Sequence, residues 1–233
     1  MTLRVDANPH LPDFPLVTIL VDDVEFVADT PQAGFGGFDP DEILGSELPL
    51  LPAYPPRRVA VYRCSCGVAR CGCIAPVIGR DGDHVVWTDA RDFTGVYSGP
   101  TVARDPSGGE ALRLPDLRFD LMPYEAEVWR AMADRSWETD RRATARLLTG
   151  HLKGASEHLR ALGFRFMWAA PHQRAASFRV SLIDSEKRQT VVDLHAAEQP
   201  PAGRAAYLVA HLLTTNPDDW NVTFRGDSMP WPD

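Results

Sequence analysis

The cysteines Cys64, Cys66, Cys71 and Cys73 are the only ones in this 233-residue chain, spaced C-x-C-x4-C-x-C. Strand-forming residues bracket them: Val59-Ala60-Val61-Tyr62-Arg63 on one side, Gly72 to Ile78 on the other. Gly67-Val68-Ala69-Arg70 lies between, and it predicts the turn of a hairpin. Side chains alternate along a strand, so Cys64 shares a face with Cys66, and Cys71 with Cys73. With a turn over Gly67–Arg70, Cys66 stands opposite Cys71 and Cys64 opposite Cys73. Opposed Cβ atoms are about 4.5–5.5 Å apart. Four sulfurs then crowd onto one face of a ribbon.

Several chemistries suit such a ribbon. A tetrathiolate zinc site needs four sulfurs about 2.3 Å from one ion. The composition fits, but each C-x-C pair straddles a pleat, so closing a tetrahedron demands strong local twist. Free thiols can also pack as small apolar residues. Disulfides or a redox switch form a third reading, since a thiolate beside Arg63 or Arg70 has a lowered pKa. An iron–sulfur cluster would use the same ligands. His84 is a candidate fourth ligand or proton carrier. The sequence leaves these alternatives open.

The run Cys64-Ser65-Cys66-Gly67, then Cys71-Gly72, then Asp83-His84-Val85-Val86-Trp87, resembles a pattern in a family of uncharacterised bacterial, mostly actinobacterial, proteins. The resemblance covers this stretch alone. It implies a bacterial cytoplasmic protein and brings no activity, reaction or ligand with it.

Around this stretch the chain reads as α+β. Residues 1–15, with Pro9, Pro12 and Pro15, suggest an irregular arm. Val17 to Val21 and Val24 to Ala28 predict a hairpin. Asp22-Asp23 is its turn rather than a metal site, because Asp tolerates turn backbone and bonds to its own chain. Gly34-Phe35-Gly36-Gly37 lacks the Gly-Lys-Ser/Thr ending of a phosphate loop. Asp39-Pro40-Asp41-Glu42 instead opens a short helix, with Asp39 as cap. Residues 59–88 predict a three-stranded antiparallel meander, which with residues 17–28 makes a sheet of about five strands. Residues 98–122 read as a connection. The expected division is an N-terminal β-rich unit over 1–97 and a C-terminal α+β unit over 123–233, either separate or closed into one compact body.

That second unit predicts ααβββαβ. Helices run from Pro123 to about Asp134 and from about Glu138 to Leu162, the second capped by Ser136 and closed by Gly163. Strands follow at Phe164–Ala169, Phe178–Asp184 and Thr190–His195, then a helix over Ala202–Thr214 and a strand over Trp220–Phe224. Phe178, Val180 and Leu182 alternate with Arg179, Ser181 and Ile183, the pattern of an antiparallel sheet with helices on one face. His151 and His158 are seven apart, which is not the His-Glu-x-x-His spacing of zinc proteases.

Apolar residues make up 44% and charged residues 24%, enough for a true core. The formal net charge of −8 arises within residues 1–122, while 123–233 balance acids against bases. An acidic half disfavours nucleic acid and anionic membrane and favours a basic protein partner. No secretory leader or membrane-length apolar run is visible, so the expected location is the cytoplasm, where thiols stay reduced. No Gly-x-Ser-x-Gly elbow occurs. The expectation is a non-catalytic binding or interaction protein, with a structural cysteine ribbon that can hold zinc. The rival is a thiol-redox protein or enzyme using the Cys64–Cys73 cluster, with His84 as base.

Overall fold

The computed structural model describes residues 1–8, 11–45 and 47–227. The chain divides into two compact units, Met1–Trp137 and the residues from Glu138 on. The fold class is α+β, with helices packed on antiparallel sheets.

In the first unit, β1 (Thr2–Asn8), β2 (Leu11–Val21) and β3 (Val24–Glu25) form a sheet in that order. Along β2, Asp13, Pro15, Val17 and Ile19 are buried and the residues between them are not. This period of two marks a sheet covered on one face. The irregular arm expected over residues 1–15 is thus corrected to a strand pair. Pro12 and Pro15 are tolerated because both lie between Leu11 and Leu16, where the register with β1 shifts. Pro9 lies outside the described residues. Asp22 and Asp23 have φ of 51° and 65°, both positive as a two-residue hairpin turn of this hand requires.

Next come β4 (Gly36–Gly37), α1 (Pro40–Ile43), β5 (Arg57–Arg58), β6 (Tyr62–Arg63), β7 (Cys73–Asp81), β8 (His84–Phe93), β9 (Glu110–Ala111), β10 (Leu117–Asp120) and α2 (Leu121–Ala133). At α1 the Asp39 side chain accepts from the Asp41 N–H at 2.9 Å, and Pro40 opens the first turn. Strands β4 to β10 form a seven-stranded sheet with the path β10-β8-β7-β6-β4; β5 pairs with β7, and β9 with β8. The meander β6-β7-β8 is the one expected of residues 59–88. The hairpin of residues 17–28 does not join it. Those residues stay in the smaller sheet, where β2 pairs with β1 along most of its length and with β3 at Leu20 and Val21.

The two sheets share a core that includes Ile19, Tyr62, Ile74, Ile78 and Trp87. The Ile19 N–H donates to the Tyr62 hydroxyl at 3.0 Å, and burial raises the pKa of that phenol. Trp87 Nε1 donates to the Tyr124 hydroxyl (3.1 Å), which donates to the Leu50 carbonyl (2.6 Å). Buried polar atoms of this kind need partners, and here they tie α2 to the sheet.

Residues 98–122 do not separate the units. β9 and β10 both pair with β8, and α2 packs on the same core. The break falls after Trp137 instead. Gly99, Pro100, Pro106 and Gly109 mark loops within this segment, but Leu117 to Asp120 alternate in burial as a ladder strand does. α2 also closes the outer edge of β1. Glu127 accepts from the Leu3 N–H at 2.6 Å, and Arg130 donates to the Leu3 carbonyl at 2.8 Å.

The second unit comprises α3 (Asp140–Gly154), α4 (Ser156–Ala161), β11 (Phe164–Pro171), β12 (Phe178–Asp184), β13 (Arg188–Leu194), α5 (Pro201–Thr214) and β14 (Val222–Asp227). The expected order holds, except that its first helix, α2, belongs to the other unit and its second is interrupted at Ala155. Thr139 rather than Ser136 caps α3, accepting from the Arg142 N–H at 3.1 Å. The sheet order is β11-β12-β13-β14. Leu148, Leu152 and Leu159, with Leu208 and Leu212, bury against Phe178, Val180, Leu182 and Val192. No helix among the described residues is long and apolar enough to cross a membrane.

Candidate metal centre

β6 ends at Arg63, and the cysteine loop begins. The Cys64 N–H donates to the Gly72 carbonyl at 2.8 Å, which closes the ladder. Two tight turns follow in succession. The Gly67 N–H donates to the Cys64 carbonyl (2.8 Å), and the Cys71 N–H to the Val68 carbonyl (3.0 Å). Gly67 takes φ +81°, a conformation that costs a residue without Cβ little. Three contacts hold the loop from outside. The Gly95 N–H donates to the Arg70 carbonyl at 2.8 Å. Ala69 is buried. The Phe35 ring covers Gly72 so closely that a Cβ there would lie 2.9 Å from it.

These turns bring three thiols together. The sulfurs of Cys64, Cys66 and Cys71 all lie within 4.8 Å of one another. Cys66 and Cys71 are exposed, and Cys64 is half-buried. The backbone N–H of Cys66 donates to the Cys64 sulfur, and the Cys66 and Cys71 thiols and the Ser65 hydroxyl add to it. Together they hold Cys64 below the ordinary thiol range, because hydrogen bonds to the charged form favour it. Cys71 moves the opposite way, pushed up to about 11 by the thiols of Cys64 and Cys66. Negative charge therefore settles on Cys64 before Cys71. Hydrogen bonds achieve this rather than Arg63, whose guanidinium pairs with Glu42 at 3.0 Å and lies over the Phe38 ring.

Cys73 is not with the other three. It is the first residue of β7, fully buried, paired with Arg63 on one side and Phe93 on the other. Burial, then the Asp92 carboxylate, pushes its thiol up to about 12. The expected ribbon set Cys64 opposite Cys73; the observed register sets Arg63 there. A one-residue slip turns a side chain to the other face. Its cause is the loop, which spends residues 64–71 on two turns where one was expected. The four-sulfur ribbon is corrected to a three-sulfur loop above a core cysteine.

His84 is elsewhere too. It pairs with Asp81 at the far end of the β7–β8 hairpin, roughly 26 Å along the strand from Cys73 at about 3.3 Å per residue. There it meets Arg118 at 3.0 Å and Asp120 at 3.5 Å. It is neither ligand nor base for the thiols. Ser65, a hydroxyl between two cysteines, is visible in the sequence itself; Phe35 and Gly95 reach the loop from distant segments and leave no local signal.

Three convergent thiols, two of them open to solvent, can hold a metal ion. The chain matches no protein-family model, no curated protein and no solved structure.

Proposed function

We propose that the chain is a non-catalytic binding protein whose cysteine loop is a structural zinc centre, with Cys64, Cys66 and Cys71 as its protein ligands. The convergence of three sulfurs within 4.8 Å carries this reading. Zinc–sulfur bonds of about 2.3 Å in a tetrahedron put sulfurs roughly 3.8 Å apart. Small side-chain rotations on a loop already pinned by Phe35 and Gly95 suffice to close on the ion. The N–H and hydroxyl groups aimed at Cys64 are the kind of surrounding donors that support a thiolate ligand. The acidic charge of residues 1–122 suits a basic protein surface as partner. Met122 and Trp129, 74% and 43% exposed on one side of α2, supply residues of the type that anchor interfaces.

The test is metal content and thiol count on protein purified without chelator. Equimolar zinc, with three thiols shielded from alkylation until the metal is stripped, is the expected result. Metal-free protein that takes up no zinc and alkylates freely at all three would overturn it.

A second reading, thiol-redox chemistry, draws on the lowered pKa of Cys64 beside two further thiols. A peroxide oxidises the Cys64 thiolate to a sulfenic acid, which condenses with the Cys66 or Cys71 thiol to a disulfide and releases water. Loss of two thiols to peroxide at neutral pH, restored by a dithiol, favours it over zinc.

A further inference from the structure

We infer that the Cys64–Cys66–Cys71 loop is a complete coordination set for a trivalent metalloid, arsenic or antimony in the +3 state, bound through three sulfur bonds. The inference rests on reading the loop as a thiolate centre, and it names a ligand class that a structural zinc site does not.

The number of ligands is the first ground. Zinc takes four donors, so in this loop it would need a water or other outside ligand beside the three sulfurs. Among the described residues, no fourth Cys, His, Asp or Glu joins the cluster. Cys73 cannot swing in, because its backbone is laddered to Arg63 and Phe93 and its side chain is enclosed by the core. A trivalent metalloid makes three bonds and keeps a lone pair, so three sulfurs satisfy it. The exposed side of the trio, at Cys66 and Cys71, leaves room for that lone pair.

Charge is the second ground. Three thiolates carry −3. A trivalent ion cancels this; zinc leaves −1 and cuprous copper −2. Residues 1–122 already hold the full net charge of −8, so a neutral centre adds no repulsion to an acidic surface. Soft sulfur ligands suit thiophilic ions in any case.

The exchange balances without a redox partner. Arsenous acid, As(OH)3, meets three thiols; three As–O bonds break and three As–S bonds form. Each thiol proton leaves on a departing hydroxyl, and three waters are released. Arsenic stays in the +3 state throughout.

The experiment is native mass spectrometry of reduced, metal-free full-length protein. Arsenite is one arm, phenylarsine oxide, which needs two thiols, a second, and zinc a third. Wild type should take one arsenic from arsenite, with Cys64, Cys66 and Cys71 all closed to alkylation. Cys66→Ser and Cys71→Ser change exposed positions and so spare the core. Each should lose arsenite binding yet keep phenylarsine oxide. Cys73→Ala should bind arsenite as wild type does. If arsenite leaves one of the three thiols reactive, or Cys66→Ser binds it undiminished, the inference falls. Zinc uptake in that case keeps the metal-centre reading alive. If neither arsenite nor zinc binds, both fall.

Discussion

Cys73 lies across the ladder from Arg63 and not from Cys64. That offset separates one cysteine from three and predicts a split in reactivity. Folded protein stripped of metal and exposed to an alkylating reagent at mildly alkaline pH should gain three adducts, at Cys64, Cys66 and Cys71. The fourth should appear when denaturant opens the core. Peptide mapping decides the matter; modification of Cys73 at the rate of Cys66 would contradict the register.

Within the trio, pH should order the reactions. The Cys66 N–H first, then the Cys66 and Cys71 thiols, hold Cys64 below the ordinary 9.0, while Cys71 is raised to about 11. A depressed pKa means the thiolate is populated at lower pH. Alkylation of Cys64 should therefore set in at lower pH than that of Cys71. Cys71→Ala removes one donor and should move the Cys64 midpoint upward. Rates followed by mass spectrometry across pH 6–11 would show the order, and coincident midpoints would refute it.

Glu127 should matter for stability and for its dependence on acid. Burial pulls its carboxyl up, but Arg130 and the Leu3 N–H outweigh this and hold it below the ordinary 4.5. A group depressed in the folded state contributes stability above its unfolded pKa and loses it as pH falls through the folded value. Glu127→Ala leaves the Leu3 N–H without its partner and should cost about 1–3 kcal/mol at neutral pH. Glu127→Gln should flatten the stability profile below pH 5. Urea midpoints at several pH values test both.

Gly37 should tolerate no side chain. A Cβ there would lie 1.8 Å from the Val17 carbonyl oxygen, beside the point where the Val17 N–H donates to the Phe38 carbonyl at 2.9 Å. Backbone faces backbone, so no rotamer change relieves the clash. Gly37→Ala should cost about 3 kcal/mol or more. Gly34→Ala, with open space around its Cβ, is the control and should leave the melting temperature nearly unchanged.

What could be read from the chain depended on how local its cause was. Asp39 and Pro40 announce α1 because cap and first turn are adjacent in sequence. Asp22 and Asp23 announce a turn for the same reason. The alternation of Phe178, Val180 and Leu182 marks their strand, since these three share the face that packs with the helices; Ser181 and Ile183 on the opposite face are buried as well. β1 escaped notice because its outer edge is completed by Glu127 and Arg130, more than a hundred residues on. β10 escaped because glycines and prolines before it spoke for loop. At the cysteines, composition pointed to the right place, but register turned on whether residues 64–71 make one turn or two. No single residue there dictates which, and Gly67, the residue with positive φ, was read as part of a different turn.

The capped edge of β1 bears on what can pair with this sheet. A strand margin with open N–H and C=O groups invites an extended segment of another molecule to lie alongside it. At Leu3 both groups are occupied by side chains of the same chain. Glu127 and Arg130 thus block strand addition at Leu3, and the guard is one acid–base pair of a helix that never enters the sheet.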